Sequence, residues 1–197
     1  MKTSIKTLFA TALTALFLTT SAFASFENDT PKSTVAATAM NVNMVVTSGN
    51  VDVYLIHGNK ENIKVVPFGN EEAKVSIKKK GGKLFISSVD NNRVTVYVYL
   101  KDLKRIDASQ NTTVSTQGDF NLDALQILLK DNARANVKAH TTSLYTVIKD
   151  HSKLKLSGTT LQHQLVKGEY VKLKMDKFNS GKTQTMTVKS SYAANKK

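Results

Sequence analysis

The chain has 197 residues, no cysteine and a formal charge of +13. Lacking cysteine, it can form no disulfide, no thiolate metal site and no cysteine-linked lipid anchor. The charge is uneven: residues 25–124 hold twelve Lys/Arg against eleven Asp/Glu, whereas residues 125–197 hold fourteen against four.

In chain order, the first residues read as an export signal. Lys2 and Lys6 give a positive start, Leu8 to Leu18 is apolar apart from Thr11 and Thr14, and Ala22-Phe23-Ala24 has the small-x-small form of a cleavage site. Cleavage is expected after Ala24. No later stretch offers the ~18 apolar residues of a membrane span. The expectation is an exported bacterial protein, periplasmic or secreted to the cell surface, without a transmembrane segment once the signal is removed. Residues 25–40, rich in Thr, Ala and Ser with Pro31, read as a loose leader. The remainder, 41–192, suits one domain, and 193–197 reads as a basic tail.

Beta patterning begins at Met44-Val45-Val46-Thr47 and resumes at Val51-Asp52-Val53-Tyr54-Leu55-Ile56, with a reversal or tight bend at Ser48-Gly49-Asn50. His57 to Lys60 reads as a turn before Ile63-Lys64-Val65-Val66, which Pro67 ends because proline cannot donate to a ladder. Ala73 to Lys78 alternates with period two, and Gly81-Gly82 turns it back into Leu84-Phe85-Ile86 as a hairpin. Val94 to Leu100 is the cleanest strand. Asp123 to Lys130 could form one turn of helix but is too short and lacks a closing cap. The chain reads as all-β.

From Ile106 onward a short pattern returns five times: Ala108-Ser109-Gln110, Leu129-Lys130-Asp131, Ile148-Lys149-Asp150, Val166-Lys167-Gly168 and Val188-Lys189-Ser190, with turn spacings of 21, 19, 18 and 22. A period near twenty predicts a solenoid of stacked coils. Ile127, Leu129, Thr146, Ile148 and then Val166 alone would face inward before the turn. Ala135, Val137, Leu154, Leu156, Val171 and Leu173 would do so after it. The fourth copy looks one residue shorter in its turn. An antiparallel sandwich is the competing architecture, and the repeated register favours the coil.

Three segments, Gly49 to Leu55, Gly82 to Ile86 and Val96 to Ile106, resemble the putative autotransporter-adhesin head GIN domain family, and the resemblance covers roughly Asn41 to Ser191. It implies an exported bacterial protein, of a kind common in Bacteroidetes, folded as a right-handed parallel β-helix. The expected fold is therefore a single-domain solenoid of that type with a less regular N-terminal β part. The family's turns usually read Ser-Gly followed by Ala or Ser and Ser. Here they are Ser109-Gln110, Lys130-Asp131, Lys149-Asp150 and Lys167-Gly168. Asp tolerates a left-handed backbone, so those turns can survive; Gln110 fits poorly and suggests a different local turn.

Stacked coils would align Lys130, Lys149, Lys167 and Lys189 about 4.8 Å apart, with Lys153, Lys155, Lys172 and Lys174 on the next strand. Such a row could hold an envelope glycan, lipopolysaccharide phosphate or another surface polyanion, although lysines also solubilise β surfaces and block edge pairing. Asp131, Asp150 and Arg134 offer a second reading, a lyase acting on acidic polysaccharides. The turns call for Asp in any case, so a non-enzymatic binding or structural module is the leading expectation, with no cofactor. His57, His140, His151 and His163 lack metal-ligand spacing and read as surface residues. No phosphate loop, nucleophile elbow or dinucleotide fingerprint is present, and export argues against nucleic acid. Tyr54, Tyr97 and Tyr99 alternate along strands, as core or face aromatics or as a binding stripe.

Overall fold

Period-two alternation of apolar and polar residues lets each strand bury one side and leave the other exposed. The computed structural model describes residues 41–67, 74–89 and 92–189. They form twelve strands: β1 (Met44–Gly49), β2 (Val51–His57), β3 (Asn62–Val66), β4 (Val75–Lys80), β5 (Lys83–Ser88), β6 (Val94–Leu100), β7 (Arg105–Ala108), β8 (Thr113–Gln117), β9 (Asn121–Leu129), β10 (Arg134–Ile148), β11 (Lys153–Gly168) and β12 (Lys172–Val188). The signal, leader and tail expected from the sequence lie outside the described residues. Among the described residues there is no helix, and Asp123 to Leu129 belongs to β9.

All twelve strands belong to one sheet, in the order β3-β6-β2-β8-β10-β9-β7-β1-β5-β4, with β11 and β12 added beyond β10. The order runs along one wall, crosses at β10 and returns along a second. Pairing is parallel throughout except at β3 with β6 and β4 with β5. Those two antiparallel strands end the stack on one side, and β12 ends it on the other. This regular parallel pairing replaces the sandwich alternative.

The two walls bury their alternate residues against each other. One contributes Val53, Leu55, Val96, Val98, Val114, Val137 and Leu156, the other Val45, Ile86, Ile106, Ile127, Leu129 and Ile148. Each fully buried Leu or Ile contributes about 1.5–3 kcal/mol relative to exposure. Ser48-Gly49-Asn50 is a bend between walls, not a hairpin, because β1 pairs with β5 and β7 while β2 pairs with β6 and β8. Gly49 has φ +86 there, and a Cβ would lie 1.7 Å from the Ser88 carbonyl oxygen, so only glycine fits. Gly81-Gly82 makes the expected two-residue hairpin, with Lys80 opposite Lys83.

Register is the property that positions surface residues. Ala108 pairs with Leu129, Leu129 with Ile148, Ile148 with Lys167, and Lys167 with Thr187. The fourth turn is therefore not shortened: the offset is 19 residues on both sides of it, at Ile148–Lys167 between β10 and β11 and at Lys153–Lys172 between β11 and β12. Reading Lys167-Gly168 as the equivalent of Lys149-Asp150 misplaces that copy by one residue. Consequently Leu165, not Val166, enters the core, and Leu173 and Met175 continue the row begun by Leu154 and Leu156. The extra two residues of the first repeat lie at the corner around Gly118 and Phe120, where Phe120 is wholly buried beside His57.

Candidate functional site

Three successive turns share one backbone solution. Gln110, Asp131 and Asp150 have φ of 58°, 59° and 58°, the left-handed region. Gln110, expected to mark a different turn, adopts the same conformation as the two aspartates. The reason is a ladder of side-chain bonds. The Gln110 N–H donates to Asp131 Oδ2 at 2.9 Å, and the Asp131 N–H donates to Asp150 Oδ2 at 3.0 Å. Each carboxylate thus holds the turn of the preceding copy. Thr112 and Ser152, both buried, close their turns by donating to the carbonyls of Ser109 and Lys149. The carboxylates of the proposed lyase set are occupied by backbone amides in this way.

Lys130 and Lys149 stand together in the exposed row beside these turns; their N–H groups donate to the carbonyls of Ala108 and Leu129. Lys167 does not continue the row. It pairs with Ile148, a core residue, and is half-buried, and Gly168 takes the next place beside Lys149. Ser190, the fifth turn residue, lies outside the described residues.

The other lysines do converge. On the wall formed by β6, β2, β8 and the first halves of β10, β11 and β12, one outward row reads Asp52, Thr113, Arg134, Lys153, Lys172. The next reads Tyr97, Tyr54, Ser115, Asn136, Lys155, Lys174. The basic ends of both rows border a shallow hollow of about 250 Å³ lined by Thr113, Arg134, Asn136, Lys153, Lys155 and Lys172, among others. Asp52 is taken by Arg93, whose Nε lies 2.9 Å away and whose Nη2 also reaches Thr113 Oγ1 and the Asn111 carbonyl. Lys174 has Asp176 at 3.2 Å. Lys138 has Asp119 at 2.8 Å, and this ammonium holds the Asp119 carboxyl below its ordinary value of 3.8. Among the described residues Arg134, Lys153, Lys155 and Lys172 have no acidic partner. Sequence reading placed Lys153, Lys155, Lys172 and Lys174 on the strand after the turn but missed Ser115 and Asn136 as their row neighbours, and did not join Arg134 to them. The signal was available as period-two alternation combined with the 19–21-residue offset.

The tyrosines are face aromatics. Tyr54 and Tyr97 are half-buried and stacked, with ring centroids 5.1 Å apart and planes 17° from parallel. His163 corrects the surface reading: it is 1% exposed, with Nε2 3.1 Å from Thr146 Oγ1 and Phe178 edge-on to its ring. Burial pushes its imidazole below the ordinary value of 6.5. Among the described residues no His, Asp and Glu cluster could hold a metal ion.

Fold and surface define an all-β protein whose mostly parallel sheet presents a cationic outer wall. The chain belongs to the family described as "Putative auto-transporter adhesin, head GIN domain", which matches residues 41–194. Similar solved structures include a putative adhesin from Bacteroides fragilis (TM-score 0.64, 15% identity, covering 75% of this chain and 72% of that one). Another is a putative lipid binding protein from Parabacteroides distasonis (0.60, 12%, 81% and 79%). A third is a putative adhesin from Parabacteroides merdae (0.59, 14%, 79% and 76%). At these identities the likeness is one of fold. No curated protein matches the chain.

Proposed function

We propose that this protein is a non-catalytic binding module of the bacterial envelope or cell surface, exported by residues 1–24, that holds an anionic glycan or lipopolysaccharide phosphate on its basic wall. In this reading the parallel strands are the rungs of a right-handed parallel β-helix. The 19-residue return of the chain to the same wall supports the coil. Parallel crossovers within one sheet are right-handed in about 98% of cases, which supports the hand. Membership of an adhesin-type family supports the location.

The observation that carries the function is the pair of columns Arg134–Lys153–Lys172 and Lys155–Lys174 beside the hollow. Two like charges about 5 Å apart in water repel by about 0.8 kcal/mol, so such columns are mildly unfavourable until an anion lies along them. Protection of a sheet edge explains Lys172 and Lys174 on the terminal strand β12. It does not explain Arg134, Lys153 and Lys155, which sit on β10 and β11 with partners on both sides. The engagement of Asp131 and Asp150 with backbone amides supports a module without turnover.

The test is titration with an acidic polysaccharide at rising salt, for the protein and for a Lys153→Ala/Lys155→Ala/Lys172→Ala variant. Affinity that falls with salt, drops at least tenfold in the variant, and comes with no cleavage of the polymer is expected; tenfold corresponds to about 1.4 kcal/mol. Equal affinity in the variant rules the wall out, and polymer cleavage lost in Asp131→Ala or Asp150→Ala replaces the module with the lyase.

A further inference from the structure

We infer that the ring face of Tyr54 on the Ser115 side, opposite Tyr97, is a sugar subsite that adjoins the basic columns and makes the preferred polyanion a linear glycan carrying carboxylates. The inference rests on the basic-wall reading above and adds to it a place for the neutral part of the ligand.

The geometry follows from register. Tyr97 stacks on one face of Tyr54 at 5.1 Å. On the other side the paired residue is Ser115, whose side chain is too short to cover an aromatic ring. Beyond Ser115 come Asn136 and then Lys155, three strand steps from Tyr54 and so about 14 Å away. The floor between ring and ammonium is therefore low and polar. It offers the Ser115 hydroxyl, the Asn136 amide, and Thr113 and Arg134 from the adjacent row.

These groups match the chemistry of a pyranose. Its C–H faces lie against an aromatic face, and its edge hydroxyls both donate and accept, which is what Ser and Asn supply. A carboxylate on the next ring reaches Arg134, whose planar fork binds carboxylates in pairs, or Lys155 and Lys153. Strands follow each other at about 4.8 Å, close to the length of one sugar ring, so a glycan running across the strands meets one row position per ring. At the tyrosine end Asp52 is neutralised by Arg93, and Lys64 lies beyond the far side of Tyr97. A polymer of phosphates alone gains nothing over Ser115.

The experiment compares calorimetric titration of an oligogalacturonate hexamer and of inorganic polyphosphate of matched charge. Tyr54→Ala and, separately, Ser115→Leu, which fills the floor while leaving the tyrosine pair intact, are each expected to weaken the oligouronate about tenfold and to leave polyphosphate unchanged. Tyr54→Phe retains the ring and wild-type affinity. If neither variant changes oligouronate affinity, or both weaken the two ligands equally, the subsite is wrong. The basic wall then still stands, provided Lys153→Ala/Lys172→Ala weakens both ligands. If the wild-type protein binds neither ligand, the basic-wall reading itself fails, and the subsite with it.

Discussion

His163 occupies an inward position one strand step from Leu144, against Phe178, with Thr146 as its hydrogen-bond partner. Its Nδ1 is buried without a partner among the described residues. Burial disfavours the charged imidazole, so the folded protein takes up this proton at lower pH than the unfolded chain. The unfolded state therefore binds more protons below the ordinary value of 6.5, and stability is lost there as the pH is lowered. The contribution is intact above about 6.5 and drains as pH drops from there toward the lower folded value. Urea midpoints measured between pH 7.5 and pH 5 should fall in the native protein. They should fall less in His163→Leu, which removes the titrating group while keeping an apolar side chain in the core. The placement was legible: His163 and Leu165 share one parity, and that parity belongs to the inward face. It was obscured by choosing Val166 as the inward residue. Gly158 is a residue whose need could not be read at all. Its φ is +109, and a Cβ would lie 2.0 Å from the Ala139 carbonyl oxygen, a contact made by a strand a full repeat away.

At the scale of the element, the repeated turn is a cross-copy device rather than a local one. A left-handed backbone costs an ordinary L residue about 1–2 kcal/mol, and Gln110 and Asp131 accept that cost where the next copy's carboxylate receives their N–H. Asp131→Ala removes the acceptor for Gln110 and places alanine at φ 59, so a loss of about 2 kcal/mol is expected in denaturant titration. Asp131→Asn keeps both an acceptor and tolerance of that conformation, and should lose less than half as much. Equal losses in the two variants would show that the ladder does not hold the turns. The Asp pattern was visible in the sequence as a turn preference. The bond partner was not, because it lies 19 or 21 residues away along the chain and beside it only once the copies stack.

At the scale of the molecule, charge and apolar pattern are separated by the sheet. The inward parity builds the core and the outward positions Arg134, Lys153, Lys155, Lys172 and Lys174 build the basic wall. A ligand that binds only the folded protein stabilises it by about 2.7 kcal/mol at a hundred times its dissociation constant. Saturating acidic polysaccharide should therefore raise the Tm of the protein by several degrees at low salt. The rise should vanish at high salt and in Lys153→Ala/Lys155→Ala/Lys172→Ala. A Tm that the polymer leaves unchanged at low salt would count against the wall as a binding surface. Lys130 and Lys149 lie outside these columns, in the row beside the turns.

The all-β class, the period near twenty, the hairpin at Gly81-Gly82, the concentration of positive charge in the second half and the family resemblance are all legible in the order of residues alone. These are consequences of side-chain alternation, turn chemistry and composition, all of which are local along the chain. Which lysines are neighbours depends on how the strands pair across the fold. The turn letters align Lys167 with Lys149, but strand pairing sets Lys167 against Ile148 and brings Arg134, Lys153 and Lys172 into one column instead. A shift of one residue reverses the face of every side chain in a strand, and the register that forbids such a shift is set by burying Leu154, Leu156 and Leu165 in the common core. It also placed the short side chain of Ser115 beside Tyr54.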